Sequence, residues 1–182
     1  MFLSFLLITP IIGALSIFLA NNLKVTVSKT EKKITGLITS IVNLYNSLIV
    51  FILFDSSLNI SQFVLLNSRS VHTYDLSLGV EGISIFFVLL ITIIMPISVL
   101  SNWTSIWNYL ETNLIIILLL ESLLIAAFIV IDILLFYIFF ESILIPLFIF
   151  IGIYGSLNKV RASFYLFLYT LFSFFFFLLF IK

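Results

Sequence analysis

Residues 113 to 152, NLIIILLLESLLIAAFIVIDILLFYIFFESILIPLFIFIG, form a run that is apolar almost without a break. As one helix these forty residues would extend about 60 Å at 1.5 Å per residue, roughly twice the hydrocarbon thickness of a bilayer. The chain therefore has to reverse near the middle of the run, and Asp132 stands there. An aspartate is a good helix N-cap and is costly deeper in lipid. The run is thus expected to be a tight helical hairpin with Asp132 at its turn, close to an interface.

The same length argument finds six candidate spans, roughly 2–20, 34–54, 83–101, 113–131, 133–152 and 165–181. Of the 182 residues, 63% are apolar and 9% are charged. Soluble domains carry about 25% charged residues, so this chain lacks the polar sequence to cover a water-facing surface. The expected fold class is all-α, a single polytopic transmembrane helix bundle. The opening stretch has no basic residue before its apolar run, and that run is too long for a signal-peptide core. It reads as a first membrane helix. Heavy use of Phe, Ile, Leu, Asn, Lys and Tyr is what AT-rich codons yield, which points to an organelle-encoded product.

The connections differ in kind. Residues 21–33 are polar and basic, and 102–112 hold Trp103 and Trp107, suited to an interfacial belt. The longest, 55–82, is a surface loop whose β-branched and polar alternation predicts a short β-hairpin. Gly79, Gly82, Gly152 and Gly155 read as turn glycines, without the spacing of a phosphate loop. Counting basic residues on alternate sides, one face holds Lys24, Lys29, Lys32, Lys33, Lys159 and Arg161, the other Arg69 and Lys182. The richer face belongs inside, which puts the N-terminus outside and makes Lys159 and Arg161 anchors of the inner interface.

Several chemistries are excluded. Net charge is zero with no basic patch, so nothing supports nucleic-acid binding. With no cysteine and one histidine, His72, the chain has no ligands for an Fe–S cluster, a Cys-rich zinc site or bis-His haem. His72, near Tyr74 and Asp75, reads as a solvated loop residue, and the Phe run at 174–177 as lipid-facing bulk.

Two ionisable side chains remain well inside the spans, Glu121 and Glu141, each about 12 Å deep. An intramembrane carboxyl costs on the order of 2.5–3.5 kcal/mol on insertion scales, so its presence points to work such as a proton relay. The alternative is a neutral structural carboxyl bonded to a neighbouring helix. Ser142 beside Glu141, and Pro146 five residues on, favour the relay there: the proline leaves the Ser142 carbonyl without its helical donor. Pro96 predicts only a kink.

The segment DILLFYIFFESILIPLFIFIGIYGSLNKVRASFYLFLYT, 132–170, closely resembles subunit 4 of mitochondrial NADH dehydrogenase, respiratory complex I, and GVEGISIFFVLLITIIMPISVLSNW resembles the opening of that family's third helix. The resemblance implies the N-terminal part of an antiporter-like, proton-translocating membrane-arm subunit. It marks Glu141, the glutamate of the FFE motif, as the family's fifth-helix carboxylate; Glu121 rests on depth alone. It also implies a mitochondrial inner-membrane location, in which the outward N-terminus of the basic-residue count faces the intermembrane space. Partners would be lipid, other membrane-arm subunits, and a second polypeptide carrying the helices and translocation lysines that follow in the family. NAD, FMN, Fe–S clusters and ubiquinone would be held elsewhere, with no cofactor on this chain. Other readings are a different antiporter-like subunit, a cation/proton antiporter, or an assembly subunit that pumps nothing.

Overall fold

A computed structural model describes residues 2–22, 28–55, 57, 61–66, 77–103 and 109–180. Lys24, Arg69, His72, Tyr74, Asp75, Trp107 and Lys182 lie outside the described residues. Among the described residues, six helices are long and apolar enough to cross a membrane: α1 (Phe2–Asn22), α2 (Lys29–Leu53), α3 (Gly82–Ser101), α4 (Leu110–Ile129), α5 (Ile133–Tyr154) and α6 (Lys159–Phe180). The chain is a multi-pass membrane protein. Two strands, β1 (Gln62–Leu66) and β2 (Ser77–Val80), pair antiparallel between α2 and α3.

Local chemistry sets the helix ends. Ser28 caps α2 in a reciprocal box: the Glu31 N–H donates to Ser28 Oγ at 3.2 Å, and the Ser28 N–H donates to Glu31 Oε2 at 3.0 Å. Asp132 caps α5, its Oδ1 accepting from the Leu134 N–H at 3.1 Å. The apolar run does reverse there, with α4 ending at Ile129 and α5 starting at Ile133. At the opposite end Tyr109 takes a left-handed conformation (φ 57°) just before α4, and its carbonyl accepts the Tyr154 hydroxyl at 2.6 Å. This bond ties the start of α4 to the end of α5.

Central α4 packs on α1, α2, α3 and α5, while α6 packs on α5. Lipid offers little hydrophobic drive between helices, so close approach and interhelical hydrogen bonds hold the bundle. Gly13 lets α1 approach Thr39 of α2, and Gly36 receives Leu114 of α4. Ser47 of α2 and Thr92 of α3 share a buried hydrogen bond of 2.7 Å. At the end where α2 begins, Lys32 pairs with Glu111 of α4, and Lys33 donates to the Trp103 carbonyl and lies over its ring.

The 55–82 segment is more than a surface loop. Its hairpin seats Val80 in the core, and the α4–α5 turn joins it: Val130 bridges Leu78, and the Ile131 N–H donates to the Ser77 carbonyl at 3.2 Å. Gly79 is accordingly a strand residue under Ile131, where a Cβ would lie 2.7 Å from Ile131 Cδ1. Gly82 opens α3 and Gly152 lies within α5, so of the four glycines read as turns only Gly155 ends a helix. Before the hairpin, the Ser57 backbone N–H donates to Asp55 at 2.9 Å and holds that carboxyl below the usual range.

Candidate functional site

Both acids lie eight residues from the helix ends at the Asp132 turn, Glu121 before Ile129 and Glu141 after Ile133. Because α4 and α5 run in opposite directions, each carboxyl sits about 12 Å from the same end of the bundle. They share a depth but not an environment.

Glu121 has 0% exposure. Its Oε1 accepts from Asn43 Nδ2 of α2 at 2.7 Å, and Asn43 Oδ1 accepts the Thr9 hydroxyl of α1 at 2.9 Å. Three helices are thereby linked through one amide that is itself fully buried. Oε2 of Glu121 is buried and meets no hydrogen-bond partner among the described residues.

Asn43 belongs to a polar face of α2 that carries no ionisable side chain at its depth. The buried residues of α2 are Lys32, Gly36, Ser40, Asn43, Ser47 and Val50, so the inward stripe is polar or small while Ile38, Ile41, Tyr45 and Ile52 point outward. The signal was readable as a polar recurrence at helical spacing, every three or four residues. Its far ends are the Lys32–Glu111 pair and the Ser47–Thr92 bond.

Glu141 is half-buried on the other side of α5. It lines an open groove of about 500 Å³ between α5 and α6, with Tyr137, Leu144, Tyr169, Thr170 and Ser173. No hydrogen bond or ion pair reaches its carboxyl among the described residues. Ser142, expected to support it, donates instead to the Ile138 carbonyl of its own helix at 2.7 Å. Pro146 is buried inside α5. Phe177, read as lipid-facing, is part of the groove wall, whereas Phe175 and Phe176 are exposed. Lys159 turns back on α5, donating to the Ile153 carbonyl at 2.8 Å, where a cation complements a helix C-terminus. Arg161 is exposed.

The described helices carry Lys or Arg only in the first five residues of α2 and the first three of α6. No cation of this chain therefore sits at the depth of either glutamate among those residues. No cluster of three or more metal-ligating side chains occurs among them either.

Comparison with known proteins agrees with this architecture. The family described as "NADH:quinone oxidoreductase/Mrp antiporter, TM" matches residues 130–181, the stretch holding Asp132, Glu141 and α6. An uncharacterized 50.9 kDa protein in ND4 intron 1 of Podospora anserina is 60% identical over 81% of this chain and 33% of its own length. NADH-ubiquinone oxidoreductase chain 4 of Mycosarcoma maydis is 48% identical over 97% of this chain and 36% of its own length; the Arabidopsis thaliana chain 4 is 39% identical over 97% and 35%. In fold, a chain of respiratory complex I from Thermus thermophilus superposes with a TM-score of 0.70 at 20% identity, covering 90% of this chain and 31% of that one. The chain spans about a third of the length of the curated relatives it matches. Over nearly its whole length, this multi-pass protein is homologous to about a third of NADH-ubiquinone oxidoreductase chain 4.

Proposed function

We propose that the chain is the N-terminal helical block of a proton-translocating membrane-arm subunit of NADH:ubiquinone oxidoreductase in the mitochondrial inner membrane, its N-terminus towards the intermembrane space. The observation that carries this reading is Glu141: a carboxyl about 12 Å inside a span, without a partner among the described residues, on an open groove within the antiporter-type segment. Such a group cannot stay charged against lipid, so protein or water has to cover it. The rest of the subunit, two-thirds of its relatives' length, is the natural cover. A lysine from that part would bias the charge state of Glu141, a role no cation on the described helices is placed to fill. That part would come with the same subunit or as a second polypeptide.

In this reading electrons and their carriers (NAD, FMN, Fe–S clusters and ubiquinone) belong to other subunits, and this chain handles protons only. Other membrane-arm subunits and lipid are its partners. The test is Glu141→Gln in the assembled complex, reconstituted in sealed vesicles. Glutamine keeps the shape and removes the titration. The complex should assemble and oxidise NADH while moving fewer protons per NADH. An intact variant complex that pumps at the wild-type ratio would refute the relay and leave the assembly role standing.

A further inference from the structure

Glu121 does not line the groove; it is fully buried, with one of its two oxygens hydrogen-bonded. From α2, Asn43 Nδ2 donates to Oε1; from α1, Thr9 holds Asn43 through its Oδ1. The Lys32 ammonium is taken by Glu111, ten residues along α4 and about 15 Å away towards the bundle end. Glu141 of α5 faces α6 instead. No charged side chain bonds to Glu121 among the described residues, and its Oε2 is buried without a partner there. A carboxylate held by a single neutral donor in a dry interior is poorly sustained. A neutral carboxyl fits better: Oε1 accepts from Asn43, and Oε2 carries a hydrogen that needs an acceptor. Water is the small molecule that can accept from that hydrogen and donate to the oxygen once the proton has left.

We propose that Glu121 is a proton-binding site of its own, separate from Glu141, exchanging its proton at Oε2 through a bound water. The inference rests on the reading of this chain as part of a proton-translocating complex. Release moves H⁺ from Oε2 to water, leaving a carboxylate on Asn43 Nδ2 and a hydronium ion. Loading is the reverse, and no electron moves. The polar inward face of α2 gives the direction of access. From the Lys32–Glu111 end it runs past Gly36 and Ser40 to Asn43, and Leu114 packed against Gly36 is the apolar contact on the way. Leu114 therefore sets how fast water reaches Oε2.

The experiment is infrared difference spectroscopy of the assembled complex on NADH addition, in H₂O and in D₂O, alongside proton pumping. A protonated-carboxyl stretch that shifts in D₂O, vanishes in Glu121→Gln and survives in Glu141→Gln is the expected result. Persistence of every such band in Glu121→Gln overturns the proposal. Should Glu121→Gln fail to assemble, Leu114→Ala decides: it should speed deuterium exchange of the band on the order of tenfold, and an unchanged rate overturns the proposal. A Glu121 band seen together with normal pumping in Glu141→Gln would leave this site standing and refute the Glu141 relay. The converse pattern would do the opposite.

Discussion

Replacing Asn43 by Leu tests the three-helix link directly. The substitution keeps the number and branching of side-chain heavy atoms and removes two interhelical bonds, 2.7 Å to Glu121 and 2.9 Å from Thr9. The two losses are unequal. Thr9 can turn its hydroxyl to a carbonyl of its own helix, as Ser16, Thr39, Ser40 and Ser47 already do. Glu121 has no such refuge, since its other oxygen also has no side-chain or backbone partner among the described residues. Interhelical bonds in membranes are worth about 0.6 kcal/mol on average and up to about 1.7. An orphaned buried polar group costs about 1–3 kcal/mol. The single variant should therefore lose about 2 kcal/mol. Adding Glu121→Leu removes the orphan and fills the site with hydrocarbon, so the double variant should be more stable than Asn43→Leu alone. Denaturant unfolding of the chain in mixed micelles, run as a double-mutant cycle, gives the four stabilities. Costs that simply add would mean the two side chains are uncoupled and would refute the link as the basis for Glu121's placement.

Two further outcomes follow from the packing and the charge pattern. Gly13→Val should destabilise the bundle by about 1–3 kcal/mol, because a Cβ there would lie 2.7 Å from Thr39 Cγ2, whereas Gly82→Ala, with nothing within 4 Å of its Cβ, should be nearly neutral in the same unfolding assay. Cysteines placed at the exposed Ser28 and Ser156, which lie at the bundle end carrying Lys32 and Lys159, should both label from the matrix side of sealed vesicles and from no other; labelling of either from the intermembrane-space side would invert the proposed topology.

Depth was legible in the sequence and direction was not. The rise of a helix is fixed, so a length count placed the reversal at Asp132 and put Glu121 and Glu141 at one level. Which way each side chain points depends on the face its helix buries. Both α4 and α5 are apolar nearly all round, so their own sequences carry little trace of it. The face of α2 was different: its stripe from Lys32 to Ser47 recurs at helical spacing and could have identified Asn43 as the partner of a buried acid. The pairing of Ile131 with Ser77 had no local signal, because it joins segments far apart in sequence through backbone groups that every residue carries.

The two acids also differ in what each needs from the rest of the protein. Glu121 is fully buried and takes its donor from α2, Asn43, which Thr9 of α1 holds in turn. Glu141 has only the groove between α5 and α6, whose walls are aromatic rings, Thr170 and Ser173. A carboxyl so placed gains a defined charge state only when something packs over the groove, and the charge of that cover decides which state. On the proposed reading, control over Glu141 belongs to whatever seals the α5–α6 flank, while control over Glu121 stays inside the bundle, at the α2–α4 contact where Leu114 meets Gly36. If both proposals hold, two acids at one depth, one set by assembly and the other by local packing, are loaded independently of each other.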